Sequence, residues 1–143
     1  MSSGSERCLL LSIRPHFAEA IMEGRKTIEL RRTRPRVEPG SHVILYASSP
    51  RMEVVAQARV VLTLEDDPAN IWREHQDQVG ISATVFLEYF EGADTAYGLQ
   101  LDDVTPLDPF SLKDLRALGV EPPQSWRYLD PQVVEQISAG TPN

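Results

Sequence analysis

The chain is organised around the stretch Gly24-Arg25-Lys26-Thr27-Ile28-Glu29-Leu30-Arg31-Arg32, which places opposite charges on a predicted strand directly after the end of a helix. Side chains of a strand alternate between two faces, so Ile28 and Leu30 share one face and the residues between them share the other. Glu29 and Arg31 then lie about 6.6 Å apart along the strand. The apolar face is expected in the core, and the charged face is either a solvated surface or part of a site.

A strand and a helix are predicted before this stretch, and a strand after it. The continuous apolar run Leu9 to Ile13 is typical of a buried first strand. Pro15 suits the first position of a helix, and Gly24 is a natural left-handed stop for that helix. A turn rich in proline and glycine then leads into a third strand, Val43 to Ala47.

The second half of the chain alternates strands with short helices. Val54 to Leu64 has the alternating pattern of one long strand, which is expected to bend around a barrel. Asp67 and Ser82 are predicted to cap two short helices, and Thr95 to Leu101 is the last long strand. Ser111 opens a final turn of helix. About five strands with inserted and flanking helices predict an α+β fold, a small β-barrel.

Length and composition predict a single domain. The chain has 143 residues, of which 41% are hydrophobic, which is enough for one core. We expect the domain to span residues 6–138, with flexible ends at 1–5 and 139–143, because both ends are small and polar. The sequence contains no phosphate-binding glycine loop, nucleophile elbow or metalloprotease helix motif.

Cysteine and histidine usage argues against disulfides and metals. The single cysteine, Cys8, lies in an apolar run and favours a reducing, cytoplasmic location, and no signal peptide or membrane span is predicted. His16, His42 and His75 lack the paired spacing of a metal site, so we predict no metal and no cofactor.

The charge is distributed unevenly along the chain. The net charge is −7, but residues 1–59 carry ten Lys and Arg against six Asp and Glu, whereas residues 60–143 carry four against fifteen. Six basic residues fall between Arg25 and Arg36, with Glu29 as the only acid among them. This density predicts a surface that faces phosphates. The alternative is a basic hairpin that pairs with the acidic half of the chain.

Four motifs carry a resemblance to a known family. They are Ser12-Ile13-Arg14-Pro15, the Gly24 to Arg31 stretch, Tyr46-Ala47-Ser48-Ser49-Pro50, and Pro122-Pro123-Gln124-Ser125-Trp126-Arg127-Tyr128-Leu129. Together they resemble the ASCH domain family, whose β-barrel belongs to the PUA-like superfamily, over nearly the whole chain. The resemblance implies an RNA-related role and a cleft where the motifs converge. Members of this kind are often labelled predicted transcriptional regulators.

Some members of the family are enzymes. One branch hydrolyses the amide of N4-acetylcytidine with a lysine, a threonine three residues further on and a distant glutamate, and others are ribonucleases. Here Lys26 matches the lysine, whereas Glu29 occupies the threonine position and Thr27 lies one residue after the lysine. A carboxylate can act as a base but cannot replace the hydroxyl nucleophile. A Lys26–Glu29 pair would also favour both charged forms and make Lys26 a poor neutral base.

The predicted function is binding of single-stranded RNA, a nucleotide or a nucleoside, with a possible role in transcription or translation. Cations can meet phosphates, a carboxylate can accept from an exocyclic amine, and aromatic rings can stack on bases. The alternative is a hydrolase or ribonuclease on the same site, in which Lys26 and Glu29 would be catalytic. For Trp126 and Tyr128 a packing role is also open, as is a structural ion pair for Glu29 and Arg31. The candidate binding residues are Arg14, Lys26, Thr27, Glu29, Arg31, Arg32, Tyr46, Ser48, Ser49, Gln124, Ser125, Trp126, Arg127 and Tyr128.

Two further expectations concern geometry and binding. The central stretch and the segment Pro122 to Tyr128 should meet in space, since polar groups are concentrated in both. Replacing Lys26 or Glu29 by alanine is expected to weaken binding and to leave the fold intact.

Overall fold

A computed structural model describes residues 7–139, in which six strands and five helices are formed. The strands are β1 (Cys8–Ile13), β2 (Ile28–Arg31), β3 (His42–Ala47), β4 (Glu53–Asp66), β5 (Ala96–Ser111) and β6 (Trp126–Leu129). The helices are α1 (Pro15–Met22), α2 (Pro68–His75), α3 (Ala83–Tyr89), α4 (Leu112–Ala117) and α5 (Pro131–Ala139).

All six strands belong to one sheet, which curls into a half-barrel with the order β2-β5-β4-β3-β1-β6. The neighbours β1 and β3 are parallel, and every other pair is antiparallel. The parallel pair places Ile13 opposite Ala47, so the chain leaves β1 and β3 at the same edge of the sheet. This arrangement confirms the predicted α+β barrel class.

Local sequence signals explain where the helices begin and end. Pro15 is the first residue of α1, and Gly24 follows this helix with φ +83°. Asp67 and Ser82 accept hydrogen bonds from backbone N–H groups in the first turns of α2 and α3. Ser111 forms a reciprocal capping box at the start of α4. All of these predicted caps and stops are confirmed.

The sheet carries apolar side chains on both faces. One core cluster lies inside the curl and includes Leu11, Leu45 and Val60. A second includes Leu10, Tyr46, Phe110, Leu115 and Ile137, the last two contributed by α4 and α5. A third joins β2 to α2 and α3. The sheet is therefore the middle layer of the domain, and Ile28 and Leu30 of β2 pack in the third cluster.

The strand count departs from the prediction in the last third of the chain. The prediction placed no strand in the Pro122–Tyr128 segment, whereas its last residues belong to β6, which pairs antiparallel with β1. β5 continues to Ser111, past the predicted end at Leu101 and through Pro106 and Pro109. β2 pairs with Tyr97 to Gln100, so the part of β5 after Leu101 pairs with β4 alone. Proline has no N–H donor and is tolerated where that side of the strand has no partner.

Smaller corrections concern burial and the C-terminal end. The alternation of β4 predicts that Val54, Val60 and Leu62 share one inward face, but the register shifts after Val60 and Leu62 is 41% exposed. The apolar pattern of α3 predicts a buried Tyr89, which is 38% exposed. The helix α5 was not predicted, and it includes Ala139, which was assigned to a flexible end. The rest of the predicted flexible ends lie outside the described residues.

Residues 7–139 contain no helix that is long and apolar enough to cross a membrane. No group of three or more His, Cys, Asp or Glu side chains in this range is placed to hold a metal ion.

Candidate functional site

Three charged side chains of the central stretch are buried together, and we call them the ion network: Lys26, Glu29 and Arg31. Their exposed fractions are 3%, 7% and 6%. Arg31 Nη2 donates to Glu29 Oε2 at 2.6 Å, and Lys26 Nζ lies 3.4 Å from Glu29 Oε1. One carboxylate therefore bridges two cations, and the charged face of β2 is enclosed, not a solvated surface.

Lys26 is held by the end of α1 and by the loop between α2 and α3. Its backbone N–H donates to Ala20 O at 3.1 Å, and its Nζ donates to Val79 O at 2.6 Å. Gly80 has φ +66°, and a Cβ at this glycine would lie 2.7 Å from Lys26 Cβ. A glycine is therefore required for the loop to approach the lysine this closely.

Arg31 joins the central stretch to the C-terminal motif. Its Nη1 donates to Ser125 Oγ at 2.9 Å and to Ser125 O at 3.2 Å, across 94 residues of sequence. Its Nη2 also donates to Ser12 O at 3.2 Å, and Ser12 Oγ donates to Pro123 O at 2.7 Å. The predicted meeting of these two segments is confirmed, and a planar guanidinium makes the connection.

Polar residues of the family motifs lie next in sequence to the residues that connect Arg31, Ser12 and Ser125, and most of them are exposed. Ser125 is exposed, and since its Oγ accepts from Arg31, its own hydroxyl hydrogen can donate outward. Gln124 and Arg14 are also exposed, the latter as the N-cap residue of α1. Ser48 N donates to Ile13 O at 2.8 Å, which ties the loop after β3 to the end of β1. Ser49 and Thr27 are exposed as well.

The pKa of Lys26 is lowered from the ordinary value of 10.5, chiefly by burial. The attraction of Glu29 opposes this shift, and the charge of Arg31 adds to it. The expectation that pairing with Glu29 would favour the charged form of Lys26 left out the larger effect, which is burial. Removing an ammonium group from water outweighs the favourable neighbour here.

This shift predicts how stability depends on pH. Between the lowered pKa of folded Lys26 and 10.5, the unfolded chain binds more protons at this position than the folded chain. Stability of the wild type should therefore rise with pH in that window relative to Lys26→Met. Denaturant unfolding of both proteins at about pH 7 and about pH 10 measures the difference.

The difference in stability between the wild type and Lys26→Met does not include the effects of other groups that titrate in this pH range. Burial raises the pKa of Tyr46 and of Tyr89, which destabilises the fold at high pH, but both proteins carry these tyrosines. A stability difference that stays constant or falls as the pH rises would contradict the assignment for Lys26.

Trp126 and Tyr128 lie beside the site and are half-buried. Trp126 Nε1 donates to Thr33 Oγ1 at 3.1 Å, and Tyr128 Oη accepts from Arg36 N at 3.0 Å. The two rings are 5.2 Å apart and nearly perpendicular. Arg7 lies 4.7 Å above the Tyr128 ring. These rings hold the segment after β2 against β6 and leave part of their surface exposed.

Three candidate residues do not join this group. Tyr46 is 4% exposed and packs in the cluster beneath α4 and α5, so its ring is not available to stack on a base as predicted. Arg32 Nη1 donates to Tyr89 O at 2.7 Å, at the end of α3. Arg127 alternates with Trp126 and Tyr128 along β6, so it points to the other face, where its Nη1 donates to Glu121 O.

A curled α+β sheet that buries an ion network at its edge defines the structural class, and comparisons with known proteins define the family. The ASCH domain model matches residues 11–124. The chain belongs to the ASCH domain family. It is similar to the ASCH domain-containing ribonuclease of Zymomonas mobilis, with 28% identity over 130 residues, 90% of this chain and 88% of the relative.

Solved structures agree with the family assignment. The crystal structure of ASCH from Zymomonas mobilis has a TM-score of 0.87 with 28% identity, and the match covers 92% of this chain and 94% of that one. The N-terminal domain of Staphylothermus marinus McrB has a TM-score of 0.53 with 10% identity, and the match covers 94% of each chain. The second likeness concerns the fold alone.

Proposed function

We propose that this chain binds single-stranded RNA on the surface formed by Ser125 and its neighbours above the ion network. The observation that carries this proposal is the double contact of Arg31 with Ser125. The contact holds the exposed hydroxyl of Ser125, in the C-terminal motif, against the buried ion network of the Gly24 to Arg31 stretch. Similarity to a protein named a ribonuclease supports RNA as the ligand class.

The groups around Ser125 suit a single strand of RNA. Ser125 and Gln124 offer donors to a phosphate or a 2′-hydroxyl, and the exposed Arg14 offers a cation. Ser48 and Ser49 add hydroxyls from the loop after β3. Unpaired bases present their edges and faces, which neutral donors and half-buried rings can contact. The ion network acts from below, as a rigid support for these contacts.

The net charge of −7 limits how the RNA can lie. A long polyanion is repelled by the acidic second half of the chain, so binding is confined to one face. Phosphate contacts on that face release counterions, and affinity should fall with added salt.

A second candidate function is cleavage of the bound RNA. One observation favours it, the name of the Zymomonas mobilis relative. In cleavage by the 2′-hydroxyl, that group loses a proton and attacks the adjacent phosphorus, and the 5′-oxygen leaves with a proton. Lys26 has a lowered pKa, but it is 3% exposed beneath the loop containing Val79, so it does not touch the bound RNA. The amidohydrolase alternative has weaker support, because Glu29 stands where a hydroxyl is needed and is held by two cations.

Replacing Ser125 by alanine tests the proposed site. We expect the dissociation constant for a labelled single-stranded RNA to rise about tenfold, since one hydrogen bond to a charged phosphate is lost. Fluorescence anisotropy at low salt measures binding. Ser138→Ala is the matched control, since Ser138 is an exposed serine on α5 whose hydroxyl donates to Gln57.

The outcomes separate the two functions. Intact RNA on a denaturing gel after long incubation with the wild type indicates binding alone. Cleavage by the wild type that is lost in Ser125→Ala and kept in Ser138→Ala assigns catalysis to this site. Absence of RNA binding by the wild type at low salt would refute both, and equal affinities of Ser125→Ala and wild type would place binding elsewhere.

A further inference from the structure

An arginine-lined concavity lies on the same side of the sheet as Trp126 and Tyr128. It has a volume of about 380 Å³, and its lining residues are Arg7, Arg34, Arg36, Val37 and Glu38. We call it the arginine pocket. None of its residues belongs to the four family motifs or to the ion network.

The arginine pocket is built against β6. The backbone N–H of Arg36 donates to Tyr128 Oη, and the guanidinium of Arg7 lies over the ring of the same tyrosine. Trp126, two residues earlier in β6, holds Thr33 through its indole N–H. β6 is the last strand of the sheet and directly follows Ser125, so the arginine pocket lies at the same edge of the sheet as Ser125.

The charge of the arginine pocket is opposite to that of the protein. Three guanidinium groups and one carboxylate line it, whereas the whole chain has a net charge of −7. Arg34 is paired with Glu65 at 2.5 Å. Among residues 7–139, neither Arg7 nor Arg36 forms an ion pair with its side chain. Two unpaired guanidinium groups beside a concave surface favour an anion with several oxygens, such as a phosphate.

The spacing along β6 suits a single strand of RNA. Ser125 and Tyr128 are three residues apart, which corresponds to about 10 Å in an extended chain. Residues three apart in an extended chain point to opposite faces, so an RNA strand that contacts Ser125 reaches Tyr128 around the edge of the sheet at β6, within a few nucleotides. Known single-strand sites in small β-barrel domains cover about four nucleotides or more.

We propose that the arginine pocket binds a backbone phosphate of the RNA strand whose neighbouring nucleotide contacts Ser125. This inference rests on the proposed RNA-binding function and extends its footprint. Arg7 and Arg36 donate to the phosphate oxygens, and Tyr128 keeps both arginines in place. The pocket sets the direction and the minimum length of the bound strand, and it carries no base specificity.

A charge-matched pair of variants tests the proposal. The test protein carries Arg7→Gln and Arg36→Gln, and the control carries Lys113→Gln and Arg116→Gln, two positions on α4. Both lose two positive charges. We expect the test protein to bind an eight-nucleotide RNA about tenfold more weakly than the wild type, and the control to bind nearly as the wild type does. The slope of log affinity against log salt should become shallower by about 0.7 for the lost phosphate contact.

A length series separates this pocket from the surface around Ser125. Binding of a dinucleotide should be equal in the wild type and the test protein, whereas Ser125→Ala should weaken it. Thermal melting checks that the test protein is folded. If it is not, Arg36→Gln alone is used. Among the described residues the side chain of Arg36 makes no hydrogen bond, and its backbone N–H, which bonds Tyr128, is unchanged by this substitution.

Each outcome of these binding measurements supports or overturns the proposed phosphate site. Loss of affinity for the long RNA in the test protein alone supports the proposal. Equal losses in test and control proteins, or none in the test protein, overturn it and leave the proposed function standing if Ser125→Ala still weakens binding. A wild type that binds no RNA overturns the proposed function and this inference together.

Discussion

Glu29→Gln is expected to lower the free energy of unfolding by about 3 to 5 kcal/mol, since it leaves two buried cations without their carboxylate. Arg31 Nη2 and Lys26 Nζ lie 2.6 Å and 3.4 Å from the oxygens of Glu29. Glutamine keeps the shape of the side chain and removes the charge, so the variant isolates electrostatics from packing. The sequence alone led us to expect an intact fold, and burial of all three groups changes this expectation.

Urea denaturation measures the effect, and thermal melting should show a fall in Tm of about 10 °C or more. The matched control is Glu65→Gln, which removes the carboxylate from an exposed pair with Arg34. This control should change stability by less than about 1 kcal/mol. Adding Lys26→Met to Glu29→Gln should restore part of the loss, because one of the two orphaned cations is removed. Equal stabilities of Glu29→Gln and Glu65→Gln would contradict a structural role for the ion network.

The parts of the fold that were predictable are those specified locally. Asp67, Ser82 and Ser111 act on N–H groups three residues ahead, and their caps needed no tertiary information. The strand β6 has only four residues and follows two prolines, so its pattern is too short to distinguish a strand from a loop. It forms because it pairs with β1, which would otherwise be an edge of the sheet, and these two strands are far apart in sequence.

The candidate site was predictable to the extent that it lies within one strand. Alternation along β2 correctly placed Glu29 and Arg31 on one face. Lys26 was expected to be accessible, but the loop containing Val79, 53 residues away, covers it. Gly80 was the available signal, since a glycine between two helices permits close backbone approach.

Tyr46 shows a different limit of sequence reasoning. The strand β3 is buried from Val43 to Ala47, because both of its faces are covered. Its alternation therefore does not tell which face carries the site, and a tyrosine on it can belong to either core. The structure assigns Tyr46 to the cluster beneath α4 and α5.

Arg31→Lys is expected to lower the free energy of unfolding by about 3 kcal/mol and to weaken RNA binding about tenfold, although the charge is conserved. The guanidinium spans Glu29, Ser12 and Ser125 with two nitrogens. An ammonium group is a single point and cannot reach all three partners. If lysine stays with Glu29, the side-chain contact to Ser125 is lost, and Ser125 keeps the bond that its carbonyl oxygen accepts from Ser12 N–H.

Denaturant unfolding and RNA anisotropy on the same preparation measure the two effects, with Arg116→Lys as the control for an exposed arginine paired with Glu121. The ion network supports the binding surface only if both quantities fall together in Arg31→Lys and neither falls in Arg116→Lys. A stable Arg31→Lys protein with unchanged RNA affinity would show that Ser125 is positioned without the guanidinium. A destabilised protein that binds RNA normally below its melting temperature would restrict Arg31 to a structural role, since binding would then not depend on where it holds Ser125.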